Sequence, residues 1–124
     1  MTSSTRKPFI ASARLGAKLS TSREAHVARA RAAIVAAGLP VNTFTASAGN
    51  RDSDTLVALE NGSLLLVSYE TIVAFKLPRN DQAVCVTLGH YSRTTDRAIR
   101  EFSPAGVFEL PLEKFVHNLR AATV

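Results

Sequence analysis

The apolar positions of this chain change their spacing at one point. Between Ser22 and Ala37 they recur at helical spacing: at about 100° per residue Val27, Ala30, Ile34 and Ala37 share one stripe, which predicts an Ala-rich helix able to approach a sheet closely. Thr21 and Glu24 have the capping-box spacing, in which hydroxyl and carboxylate each satisfy an orphaned backbone donor. Gly38 suits the left-handed position after a helix, and Pro40 blocks continuation. Beyond Pro40 the pattern turns extended.

Val41 to Ala46 reads as a strand, followed by a polar loop from Ser47 to Asp54. Thr55 to Glu60 and Ser63 to Tyr69 flank Asn61-Gly62, the pair that most readily forms a two-residue type I′ hairpin turn; this loop length sets Leu59 opposite Leu64. The unbroken run Leu64 to Val67 predicts a central strand covered on both faces. Glu70 and Thr71 bend the chain into a third strand, Ile72 to Leu77, and Pro78 to Asp81 has turn chemistry. In a fourth strand, Ala83 to Leu88, the residues Val84, Val86 and Leu88 share one face and Ala83, Cys85 and Thr87 the other. Asp96 to Phe102, capped by Thr95, and Leu112 to Ala121, begun by Pro111, read as helices, with a further short strand at Val107 to Leu110.

These elements predict an α+β domain over residues 21–124: an antiparallel sheet of four to five strands with an N-terminal Ala-rich helix, a short Arg-rich helix and a C-terminal helix. The first and last helices are expected on one side of the sheet, with Leu59, Leu64, Leu66, Val73, Phe75, Val84, Val86, Ile99, Phe102 and Phe115 as core.

Composition agrees with one domain: 124 residues, 46% hydrophobic and 20% charged. The single cysteine, Cys85, excludes a disulfide-rich scaffold. Charge is uneven. Residues 1–50 carry seven bases against the lone acid Glu24, whereas residues 51–124 carry eight bases and nine acids, so the net +5 resides in the N-terminal part. Residues 1–20 are expected to form a flexible basic leader, dispensable for folding. An Arg- and Ser-rich start also describes a transit peptide, but a soluble cytoplasmic protein is the preferred reading. Gly38, Pro40 and several hydroxyl residues interrupt the uncharged stretch Ala32 to Asn50, so no membrane-spanning helix is expected.

Catalytic signatures are absent from the sequence: there is no Gly-rich phosphate loop, no Gly-x-Ser-x-Gly elbow, no paired-cysteine pattern and no His-x-x-x-His. His26, His90 and His117 fall on separate elements, and Cys85 between two valines reads as a buried thiol. Asp52 and Asp54 could hold a divalent cation but read as solvated, so no metal and no cofactor are expected. Arg23, Arg29 and Arg31 point in different directions around the first helix, which disfavours a recognition helix. Arg6, Lys7, Arg14 and Lys18 could neutralise phosphates without sequence preference, or simply keep the segment solvated. The cluster that stands out is Tyr91, Arg93, Arg97 and Arg100. The arginines are spaced four and three apart, so on one helix they share a face suited to a carboxylate, a phosphate or an acidic protein surface. The competing reading pairs them with Asp96 and Glu101 as ordinary surface salt bridges.

The strings Ser68-Tyr69-Glu70-Thr71-Ile72-Val73-Ala74-Phe75 and Tyr91-Ser92-Arg93-Thr94-Thr95-Asp96-Arg97 carry a resemblance. Over about residues 41–119 the chain resembles a family of small uncharacterised phage and mobile-element proteins that read Ser-Tyr-x-Thr-x-Val-Ala-Phe and then Ser-x-Thr-Thr-x-Arg/Lys-His. This chain has Ala98 at the histidine position. The resemblance implies a compact β-rich domain of phage or mobile-element origin, and with the cytoplasmic reading above this places the protein in the cytoplasm of a bacterial host. No established activity carries over from that family; the function expected of a small phage protein without catalytic signatures is that of a non-enzymatic binding protein acting on a host protein complex, such as an inhibitor of a CRISPR effector, and the alternative is a nucleic-acid-binding accessory protein using the basic leader.

Overall fold

The structure is a computed structural model that describes residues 14–124, with side chains from Arg23 onward. It is an α+β fold in the chain order α1 (Arg14–Ala36), β1 (Phe44–Ala48), β2 (Asp54–Leu59), β3 (Leu64–Ser68), β4 (Thr71–Lys76), β5 (Ala83–Val86), α2 (Arg93–Phe102), β6 (Val107–Leu110) and α3 (Leu112–Ala122). All six strands form one sheet in sequence order. The first five pair antiparallel and β6 runs parallel to β5. The sheet is therefore larger than the four to five strands expected. Its last pair is parallel because the chain crosses over through α2, and parallel neighbours need a connection of that kind.

Helix α1 starts at Arg14, eight residues before the expected Ser22. Residues 14–20, expected within the leader, are thus helical, because Arg, Leu, Ala and Lys carry a helix through the Thr21–Glu24 pattern rather than starting there. Residues 1–13, with Arg6 and Lys7, lie outside the described residues. At its other end α1 closes as expected: Gly38 takes φ +68°, its N–H bonds the Val35 carbonyl at 3.0 Å, and the Leu39 N–H bonds the Ile34 carbonyl at 3.1 Å. The buried stripe is His26, Ala30, Ala33 and Ile34, whereas Val27 is 37% exposed. His26 takes the core position because its ring has a partner there: Nδ1 shares a 2.5 Å hydrogen bond with Thr55 Oγ1 at the start of β2.

The β2–β3 hairpin departs from the expected register. Ala58 pairs with Leu64, so Leu59 faces Ser63 and the loop has three residues, Glu60-Asn61-Gly62. The Gly62 N–H bonds the Leu59 carbonyl at 3.0 Å, the Leu59 N–H bonds the Ser63 carbonyl at 2.9 Å, and only Gly62 of the three has positive φ, +92°. This is a tight turn followed by a glycine bulge, not a type I′ turn. Asn61 favours it by accepting the Ser63 N–H at 2.9 Å on its side-chain oxygen. A one-residue slip exchanges the faces of a strand. Leu64 accordingly lies 40% exposed instead of in the core, while Leu65 is fully buried.

β3 is central and covered on both faces, as its apolar run predicts: Leu65 and Val67 join one cluster and Leu66 the other. The first cluster includes Ala30 and Ile34 of α1 and Phe115 and Leu119 of α3, so these helices share one face. The second lies under Ala98 and Ile99 of α2. In β4 a bulge puts the adjacent residues Val73 and Ala74 in the second cluster, with Ile72 and Phe75 in the first. Of the expected core, Val84 and Phe102 are only half-buried. Leu88 lies past the end of β5 and packs on the α2 side rather than beside Val84 and Val86. Among the described residues no helix is long and apolar enough to cross a membrane.

Candidate functional site

The candidate site is built on α2 and the strands beside it. The helix starts at Arg93, three residues before the expected Asp96, because Ser92 and not Thr95 is its cap: Ser92 Oγ accepts the Thr95 N–H at 3.2 Å. Thr95 turns inward instead, and its hydroxyl lies 3.5 Å from that of Ser68, both residues buried. The early start matters, since it brings Arg93 onto the same regular helix as Arg97 and Arg100, and all three are exposed.

The expected ion pairs are replaced by others. Both Asp96 oxygens accept the Gly89 N–H, at 3.1 and 3.2 Å, which anchors the loop before the helix. Glu101 reaches across to the loop after β1, where Arg51 binds it at 2.8 and 3.3 Å and Asn50 at 3.2 Å. Those hydrogen bonds, Arg51 first and Asn50 next, hold the Glu101 carboxyl below the usual carboxylate range, with a smaller contribution from nearby Arg97. Arg51 also contacts buried Asp54 at 3.4 Å. With both acids of α2 engaged elsewhere, Arg93, Arg97 and Arg100 have no carboxylate at ion-pair distance among the described residues.

Tyr91 does not join this face. Its ring is half-buried, packs against both core clusters and meets His90 edge-on at 4.8 Å, and burial raises its hydroxyl pKa. Arg14 and Lys18 fall in the first turns of α1, and α1 packs on the opposite face of the sheet. Of the other helix α1 arginines, Arg29 donates to the Asp52 carbonyl and Arg31 lies over the Phe44 ring at 5.1 Å.

Beside α2 lies a groove of about 410 Å³. Its floor is Leu56, Ala58, Leu64 and Leu66, one wall is Ala98, Glu101 and Phe102, and Asn50 and Asp54 close one end. Lys76 sits at the rim with its ammonium 4.7 Å from the centre of the Phe102 ring. This groove is invisible under the type I′ register, which puts Leu64 inside. The signal that could have found it is Asn61, whose side chain caps a three-residue loop.

Chemistry elsewhere is limited. Cys85 is fully buried, and desolvation pushes its thiol up to about 11, so it is held protonated. The described residues contain no group of three or more His, Cys, Asp or Glu able to hold a metal. Asp52 and Asp54 do not converge: Asp52 is exposed, and the Asp54 carboxylate is buried against Arg51 and Ser53.

No curated protein and no solved structure matches the chain. Residues 39–113, which include all of the groove and all three arginines of α2, match the model of a family of unknown function (DUF8033), and the chain belongs to that family.

Proposed function

We propose that this is a non-enzymatic binding protein that occupies an acidic surface of a protein complex through Arg93, Arg97 and Arg100. The observation that carries the reading is the row of three exposed guanidinium groups whose local acids are committed to other partners. A guanidinium presents several donors in a fixed fork that matches carboxylates, and arginine is enriched among the residues whose loss costs most at interfaces. An ordinary solvated helix would spend Asp96 and Glu101 on these arginines. Taken with the resemblance of the Ser68 and Tyr91 strings to phage and mobile-element proteins, the complex we favour is a bacterial defence assembly such as a CRISPR effector, with the protein acting as its inhibitor.

The test is affinity purification from a bacterial host with the full chain and with the double variant Arg93→Glu, Arg97→Glu. Charge reversal replaces short-range attraction with repulsion, so capture of the partner should weaken by well over tenfold. The melt should stay within about 1 kcal/mol, because exposed charges of this kind contribute little to folding. A double variant that captures the partner as well as the parent does would overturn the reading. Salt-dependent binding of random DNA or RNA by the parent, without capture of a protein, would replace it with nucleic-acid binding through the basic N-terminal residues.

A further inference from the structure

The two faces of the sheet are covered unequally. Among the described residues, two helices, of 23 and 11 residues, share one face, whereas the other carries only the ten residues of α2. That helix covers the Leu66, Val73 and Cys85 region and leaves the β1–β3 half of its face open. On the open half Leu56, 36% exposed, and Leu64, 40% exposed, flank Ala58, which is also exposed. They are cross-strand neighbours, with Ala58 opposite Leu64 and Leu56 opposite Leu66, so they form one continuous apolar strip.

The charges around this strip are sorted. On its own side the acids are already bound, Glu101 by Arg51 and Asn50, and Asp54 by Arg51 and Ser53. On the helix, Arg97 lies one step around the wheel from Glu101, close enough to lower the pKa of that carboxyl, and Arg93 and Arg100 continue the row outward. A partner lying in the groove therefore meets hydrocarbon beneath it, Lys76 at the rim, Glu101 already bound by Arg51 and Asn50 on the α2 wall, and the arginine row on the outer side of α2 beyond Glu101.

We propose that the groove receives an amphipathic, acid-bearing α-helix of the partner protein, laid beside α2 with its apolar face on Leu56, Ala58 and Leu64 and its carboxylates against Arg97 and Arg93. The proposal rests on the protein-binding reading above and specifies the element that is bound. A helix fits because it satisfies its own backbone hydrogen bonds, whereas a strand laid on a sheet face would find no partners for its N–H and C=O groups. A helix seated there completes a two-helix layer matching the one on the opposite face, at the spacing of about 8–10 Å that neighbouring helices adopt. Acidic character is required by the arginines, because a basic helix of the same shape would be repelled.

The experiment uses the full chain and three fluorescein-labelled 20-residue helical peptides with the same Leu/Ala face, the polar face being Glu, Gln or Lys. Fluorescence anisotropy should show the Glu peptide binding at least tenfold more tightly than the Gln and Lys peptides. Leu64→Glu and Ala58→Glu, both at exposed positions and checked by melting, should each reduce Glu-peptide binding at least tenfold. Lys114→Glu, the same kind of charge change on exposed α3, should leave it within twofold. Equal binding of all three peptides, no binding of the Glu peptide, or Lys114→Glu matching the loss at Leu64 would each overturn the proposal. Binding lost in Arg97→Glu but kept in both groove variants overturns the groove while leaving the arginine surface standing. Loss in the groove variants with none in Arg97→Glu removes the arginines instead, and with them the reading that the partner is held through Arg93, Arg97 and Arg100.

Discussion

Gly62 decides on which face of β3 each side chain lies. Its φ of +92° is strained for any residue with a Cβ, and a Cβ there would meet Pro78 Cγ at 3.3 Å. The three-residue loop depends on that conformation, and with it the register that buries Leu65 and exposes Leu64. Gly62→Val places a β-branched side chain at this point and should cost about 1–3 kcal/mol, read as a lowered denaturation midpoint. An unchanged midpoint would mean that the turn is not held by Gly62. The Ser68 and Tyr91 strings also find explanations at this scale. Ser68 meets Thr95, Tyr69 turns the hairpin with φ 57°, Val73 and Ala74 form the bulge, Phe75 is core and Ser92 caps α2. Ala98 belongs to the buried cluster under α2 and also lines the groove.

Helix α1 docks through a polar residue, and this gives its packing a pH dependence. His26 is 3% exposed, and burial first, then the Arg29 charge, lowers its pKa, with Asp52 opposing. Below the ordinary imidazole value of 6.5 the unfolded chain takes up a proton that the folded chain resists. The contribution is therefore complete above about pH 6.5 and is lost as pH falls below it. Thermal midpoints between pH 7.5 and 5 should fall less steeply in His26→Gln than in the parent; parallel slopes would show that His26 titrates as freely when folded as when unfolded. The elements themselves were legible in the sequence: β6 has the expected bounds, the Gly38 closure is as read, and the β3 run is central. Three features were not legible, each because a side chain chose between nearly equal local options. Asn61 selected the longer loop, Ser92 displaced Thr95 as cap, and Thr55 drew His26 inward in place of Val27. The arginine row was readable from its spacing of four and three, but its freedom from Asp96 and Glu101 was not. That depends on Gly89 and Arg51, seven residues before Asp96 and fifty before Glu101, contacts that helical periodicity does not encode.

At the scale of the whole molecule, the segment matching the family model begins after α1 and ends two residues into α3, yet both helices complete the core. They are tied together and to the sheet: Arg120 Nε donates to the Ala37 carbonyl at 3.0 Å, Asn61 donates to the Ala122 carbonyl at 2.9 Å, and Phe115 packs on Phe75 with ring centres 5.6 Å apart. A chain reduced to residues 39–113 keeps all six strands, α2, the groove and the arginines. It loses Ala30, Ala33 and Ile34 from one helix and Phe115 and Leu119 from the other, which bares the Val57, Leu65, Val67 and Phe75 side of the sheet. Removing the Phe115 side chain alone is worth about 3–5 kcal/mol, against about 5–15 kcal/mol for the whole stability of a domain this size. The loss of all five leaves no margin. Residues 39–113 expressed alone should therefore show no cooperative thermal transition and should aggregate through the uncovered face, whereas the full chain melts cooperatively. A cooperative melt of the 39–113 fragment would establish that the sheet and α2 suffice as a fold, and would leave α1 and α3 as a separable cover over one face.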